Sequence, residues 1–154
     1  VQAHAESYVG LVECGVGLIP GWGGCGEMID RWRSSPGMPK GPMPAVAKVF
    51  ETVSTATVAK SAAEAKEHGF LRPSDGITMN RDRLLADAKA RALALVADYA
   101  PPEAVEISLP GESAAIALGK AIDDHRKTGK ATPHDAVVGN VLAGVLSGGK
   151  TDIA

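Results

Sequence analysis

Glu13 is the residue of this 154-residue sequence best suited to chemistry. Leu11, Val12, Cys14 and Val16 surround it, and eight residues on begins the glycine-rich stretch Gly21-Trp22-Gly23-Gly24-Cys25-Gly26, leading into Glu27. A carboxylate in apolar company is desolvated, which suits it to general acid/base work; on a short strand the same residue would simply face solvent. A glycine-rich turn ahead of a helix offers free N–H groups and the positive helix end to an anion or a water. The spacing is neither that of a dinucleotide-binding fingerprint nor that of a phosphate-binding loop, because no Lys-Ser/Thr follows, and a tight connection explains it equally well. Glu6 is a lesser acidic candidate.

The other reactive residue types read as structural. His4, His68, His125 and His134 lack zinc-ligand spacing, with each other or with cysteine. Cys14 and Cys25, eleven apart, suit small core positions better than a redox pair. His68 falls at a helix C-terminus, where a partial positive charge is favourable, and His134 reads as polar surface. Asp123-Asp124-His125-Arg126-Lys127 reads as a solvated helix end.

Composition bounds the molecule that carries these groups. The length fits one domain with one core. Sixteen Lys and Arg against 18 Asp and Glu leave a formal charge of −2, with no basic stripe for a nucleic-acid backbone. No apolar run approaches the roughly 20 residues of a membrane span. The start, Val1-Gln2-Ala3-His4, shows no signal-peptide pattern, and two cysteines make no disulfide framework, so a cytoplasmic location is expected. Aromatics are only 4% of the chain against 18 glycines and 10 prolines, so small apolar residues must build the core of close-packed helices.

The expected class is α+β and predominantly helical. Residues 1–26, interrupted by Gly10, Gly15, Gly17 and Pro20, predict short strands and turns; residues 27–154 predict five or six helices. Helices are expected over 27–34, over 44–55 behind Pro44, after a capping box at Ser61-Ala62-Ala63-Glu64, over 81–99 behind Asn80, and over 111–127. The last helix is the best signalled, with Thr132 as N-cap, Pro133 first, Asp135 in its first turn and Gly148-Gly149 at its end. Its Val137, Val138, Val141, Leu142, Val145 and Leu146 predict a largely buried stripe. Phe70 to Met79 reads as a loop or brief strand, and Val105-Glu106-Ile107 is the only good later strand candidate, which leaves the opening strands without evident partners.

The stretch Ser7-Tyr8-Val9-Gly10-Leu11-Val12-Glu13-Cys14-Gly15-Val16-Gly17-Leu18-Ile19-Pro20-Gly21-Trp22-Gly23-Gly24 resembles the signature of the crotonase (enoyl-CoA hydratase/isomerase) superfamily. There an aromatic-Gly-x-x-Glu is followed by x-x-x-Gly-x-Ile/Val-Pro-Gly-x-Gly-Gly, and the spacing matches from Glu13 through Gly17, Pro20 and Gly21 to Gly24. The stretch from Ala59 to Leu71 resembles the family's A-x-x-A-x-x-x-Gly-Leu-Val segment. Residues 72–80 and 129–135 resemble, more narrowly, the crotonase part of large bacterial 3-hydroxyacyl-CoA dehydrogenases of fatty-acid oxidation. The resemblance covers the whole chain but only the second half of a crotonase (ββα spiral) domain, so residues 1–154 are expected to form a partial domain.

The resemblance implies a reaction. In enoyl-CoA hydratases two glutamates hold the water that adds across a 2-enoyl thioester, while two backbone N–H groups bind the thioester oxygen. Glu13 matches the second glutamate, Gly21 the loop glycine whose N–H helps position the water, and Leu18, Ile19, Pro20 and Trp22 fall on substrate-binding positions. Trp22 and Cys25 replace what are usually smaller or hydroxyl residues, and bulk at Trp22 would narrow the pocket. The first glutamate and both oxyanion donors belong to a preceding half, so residues 1–154 are expected to be inactive alone. The implied substrate is an acyl-CoA, with no cofactor in this segment and NAD only in a linked dehydrogenase part. Lys60, Lys66 and Arg72 stand as surface cations that a CoA phosphate would suit. The implied partners are a second copy, with trimers typical of the family, or the rest of a longer chain. Against this stands a non-catalytic reading, a helical oligomerisation module.

Overall fold

A computed structural model describes residues 1–150 of the chain. The described chain is about 52% helical, in the α+β class expected, and its residues group into two compact units.

The first unit comprises Val1–Gly10 and Val58–Glu106. Strand β1 (Gln2–His4) pairs in parallel with β4 (Gly76–Thr78), and β2 (Val9–Gly10) pairs antiparallel with β3 (Val58–Ala59). The opening strands therefore do have partners. The expectation failed because β3 and β4 are two and three residues long, too short for alternation to announce them, and the chain 105–107 adopts no regular structure. Helix α3 (Ala62–Glu67) begins on Ser61, whose hydroxyl accepts the Glu64 N–H. The Glu64 carboxylate takes the Lys60 N–H at 2.7 Å rather than that of Ser61, so the box is half formed. Asn80 caps a 3-10 turn (Arg81–Arg83) ahead of α4 (Leu84–Ala94), which stops five residues short of the expected end.

The second unit comprises Leu11–Thr57 and the chain from Ile107 onward. It contains a 3-10 turn (Glu13–Val16), α1 (Gly24–Arg33), α2 (Pro42–Ser54), α5 (Glu112–Lys127) and α6 (Pro133–Ser147). Two starts differ from expectation. Helix α1 begins inside the glycine stretch, and α2 begins at Pro42 rather than Pro44, since Gly41 at φ +107 turns the chain into it. The expected ends of α6 are confirmed: Thr132 and Asp135 form a reciprocal capping box, and Gly148, at φ +83, closes the helix.

The second unit's core is built from α2, α5 and α6. Val46, Val49 and Val53 of α2 and Leu142 and Leu146 of α6 are fully buried. Ile122 of α5 lies against Gly139, where an added Cβ would come within 3.1 Å of its Cδ1, so small residues let the two helices approach. The α6 stripe is only half covered: Val138, Leu142 and Leu146 point inward, whereas Val137, Val141 and Val145 remain about half exposed. Among the described residues no helix is long and apolar enough to cross a membrane.

Candidate functional site

Glu13 opens the 3-10 turn rather than lying on a strand. Gly15 donates to the Val12 carbonyl at 2.9 Å, and Gly17, at φ +82, closes the turn. Its N–H reaches the Cys14 carbonyl, while the Leu18 N–H reaches the Glu13 carbonyl at 3.0 Å. The carboxylate thus stands on a hydrogen-bonded support. Its Oε2 is buried and accepts no hydrogen bond from the protein. A buried polar atom left without a partner costs free energy, and folded proteins keep few of them.

The glycine bend returns to the chain just before this carboxylate. A Cβ at Gly24 would sit 3.0 Å from Leu11 Cδ2, so glycine lets the start of α1 pack closely against the chain just before Glu13. Cys25, in the first turn of α1, is buried. Burial first, then the neighbouring Cys14 and Glu13, pushes its thiol up to about 11. Cys14 is raised in the same way, by burial and then by Glu13. Coulombic influence falls with distance, so Glu13 and both cysteines occupy one small region. Helix α1 starts on Gly23, at φ +84, with no side-chain cap.

The remaining motif residues separate. Pro20 is buried and Ile19 half-buried, Leu18 is exposed, and the Trp22 ring is fully exposed, at 106% of its reference area. Gly21 is exposed, its carbonyl accepting the Gly23 N–H. Within this chain, then, the structure gathers Glu13, Cys14, Gly24 and Cys25 and leaves Leu18, Gly21 and Trp22 on the outside. Glu6 is exposed.

Two residues have duties their local sequence does not announce. The imidazole of His134 lies against Gly17, where an added Cβ would be 2.9 Å from Nε2, so the first turn of α6 braces the support of Glu13. Lys66 is not an available cation, because its Nζ donates to the carbonyls of Pro73 and Asp75 at 2.9 and 2.6 Å. His68 caps the end of α3, 3.6 Å from Glu64, as a residue at a helix C-terminus should.

A cleft of about 490 Å³ in the second unit was not foreseen. Cys14, Phe50, Ile122 and Val138 line it, with His125, Lys130 and Asp135 among its polar residues. Cys14 and Val138 are far apart in sequence, so no local pattern would reveal their meeting. Among the described residues no three His, Cys, Asp or Glu side chains are grouped to hold a metal ion.

Over 152 residues, 97% of this chain, the sequence is 41% identical to a probable 3-hydroxyacyl-CoA dehydrogenase of Bacillus subtilis (strain 168). The chain spans 19% of that protein's length. No family model matches the chain, and no solved structure matches it.

Proposed function

We propose that this chain is a segment of a fatty-acid-oxidising polypeptide of the 3-hydroxyacyl-CoA dehydrogenase type, and that it forms the second half of a crotonase-like hydratase site. The observation that carries the reading is the buried, unpartnered Oε2 of Glu13, two residues after Leu11, whose side chain lies against Gly24 of the glycine stretch. A carboxylate kept in that condition suits a proton-transfer role better than a structural one. The similarity to a named 3-hydroxyacyl-CoA dehydrogenase over nearly the whole chain supports the metabolic setting.

In this reading Glu13 and a second carboxylate, supplied from outside residues 1–154, hold the water. Its hydroxyl adds to C3 of a 2-enoyl-CoA and its proton passes to C2. The enolate charge that develops on the thioester oxygen is met by N–H donors also outside this chain; losing one such donor typically costs 10²–10³ in rate. Residues 1–154 alone are therefore nearly inactive, and NAD serves a linked dehydrogenase part. The setting is cytoplasmic, and the site is completed by the rest of a longer chain or by subunit packing.

The test is hydration of crotonyl-CoA by a full-length polypeptide carrying this segment. Glu13→Gln should lower turnover roughly 10²–10⁴-fold, the usual range for a positioned acid/base group, while NAD reduction with a 3-hydroxyacyl-CoA stays at its normal rate. Unchanged hydration would overturn the assignment.

A second reading, an association module without chemistry of its own, draws on one observation. Val137, Val141 and Val145 leave an apolar row on α6 at four-residue spacing. Under it, residues 1–154 sediment as a stable oligomer, and a monodisperse monomer argues against it.

A further inference from the structure

The end of α2 carries a residue that its backbone does not favour. The Thr57 N–H donates to the Thr52 carbonyl and the Ala56 N–H to the Val53 carbonyl, both at 3.0 Å. This pair of bonds closes a helix through one left-handed residue, usually glycine. Here it is Ala56, at φ +49, and among the described residues no other non-glycine residue has a positive φ. A side chain in that region is strained, and such strain persists only where the surrounding structure holds it. Glycine would keep both hydrogen bonds and relieve the strain; alanine adds only a methyl group.

That methyl meets the turn beneath Glu13. A Cβ built on Gly15 would lie 3.3 Å from the Ala56 Cβ, so bare backbone packs against the methyl there. Two residues on, the His134 imidazole lies against Gly17, with Nε2 2.9 Å from where a Cβ would stand. Gly15 lies within the 3-10 turn and Gly17 closes it. The next residue, Leu18, donates its N–H to the Glu13 carbonyl at 3.0 Å. Close packing at both glycines leaves the turn little room to shift.

We infer that Ala56 and His134 are positioning residues for Glu13, a role that rests on the acid/base function proposed for that carboxylate. From the end of α2 and the start of α6 they clamp the turn, so that the carboxylate keeps one place.

The decisive variant is Ala56→Gly in a full-length polypeptide carrying this segment. Relief of the left-handed strain should keep or raise the unfolding midpoint, while loss of the methyl loosens the turn. Misplacing a reacting group by about 1 Å can cost about 10²-fold; with the turn's own hydrogen bonds kept, kcat for crotonyl-CoA hydration should fall about tenfold. KM should stay within about twofold, because the substrate-binding residues are untouched. His134→Ala should act alike, and His134→Gln, whose amide reaches about as far as Nε2, should restore most of the rate. Hydrogen exchange in the peptide containing Leu18 should quicken severalfold in Ala56→Gly and in His134→Ala. Wild-type kcat in Ala56→Gly beside a strongly slowed Glu13→Gln would overturn this inference alone. Unchanged hydration in Glu13→Gln would overturn the hydratase reading and the positioning role with it. Unchanged exchange at Leu18, no rescue by His134→Gln, or a slowed Ala56→Gly with a lowered midpoint would each sink the clamp whatever Glu13 does.

Discussion

Helices α4 and α6 both carry many aliphatic residues and sit in opposite environments. Helix α4 is built mainly of alanine and leucine, α6 of valine, leucine and small residues. Yet α6 buries seven residues, including Leu142 and Leu146, whereas α4 buries none and leaves Leu85 82% exposed. Helix formation needs only propensity and a start: α6 has its own capping box, and α4 continues from the 3-10 turn that Asn80 caps. Burial needs a neighbour shaped to receive the face. Gly139 lets α5 come close to α6, while α4 is held by polar contacts, with Thr78 donating to Asp87 at 2.9 Å and Arg83 paired to Asp87 at 3.5 Å.

The sharpest way to break this contrast is to shorten one leucine in each helix. Leu142→Ala should cost about 2–5 kcal/mol, the range for truncating a buried leucine, whereas Leu85→Ala should change stability by less than about 0.5 kcal/mol; urea unfolding of each variant measures both. Equal losses would mean that α4 is covered in solution. Glycines sharpen the point on a smaller scale. Gly17→Ala forces a side chain into the left-handed region and against His134, and should cost about 1–2 kcal/mol. Gly144→Ala, mid-helix in α6 with nothing within 4 Å of the new Cβ, should instead stabilise by roughly 0.5–1 kcal/mol.

The caps come next. Thr132→Ala should cost about 1 kcal/mol by freeing the Asp135 N–H. The Thr132 backbone N–H, then its side chain, holds the Asp135 carboxyl below the usual carboxylate range. A lowered folded value means that the cap's contribution is fully present above the unfolded value of about 3.9 and is lost as pH falls through the folded one. The stability difference between wild type and Asp135→Asn should thus be constant near neutrality and vanish in acid, which unfolding at stepped pH will follow. The smallest effect is chemical. With its thiol raised to about 11, Cys25 should react with a disulfide reagent at pH 8 far more slowly in the native chain than in urea. Rapid native reaction would show that the region around Glu13 opens readily.

Local signals and long-range placement divide cleanly along the chain. The boundaries of α6 follow from Thr132, Pro133, Asp135 and Gly148, because capping is a matter between residues three or four apart. Glu13 and its glycine bend stood out for the same reason, their meaning resting on short spacing. The 3-10 turn beneath Glu13 was missed because Gly15 and Gly17 read as breaks, although Gly17 is the residue that closes it. Strand β3 was missed, and β4 stood only as one alternative, a loop or brief strand, within residues 70–79, because pairing energy comes from a partner more than forty residues away, not from their own two or three residues.

Residue order alone set the class of the molecule, the ends of its best-capped helix and the short spacing between Glu13 and its glycine stretch, since propensity, capping and turn chemistry act over a few residues. Packing settled which apolar faces found cover, that His134 braces Gly17, and that Cys14, Lys130 and Val138 line one cleft. Those outcomes depend on side chains over a hundred residues apart meeting in space, and burial energy belongs to the meeting rather than to either partner.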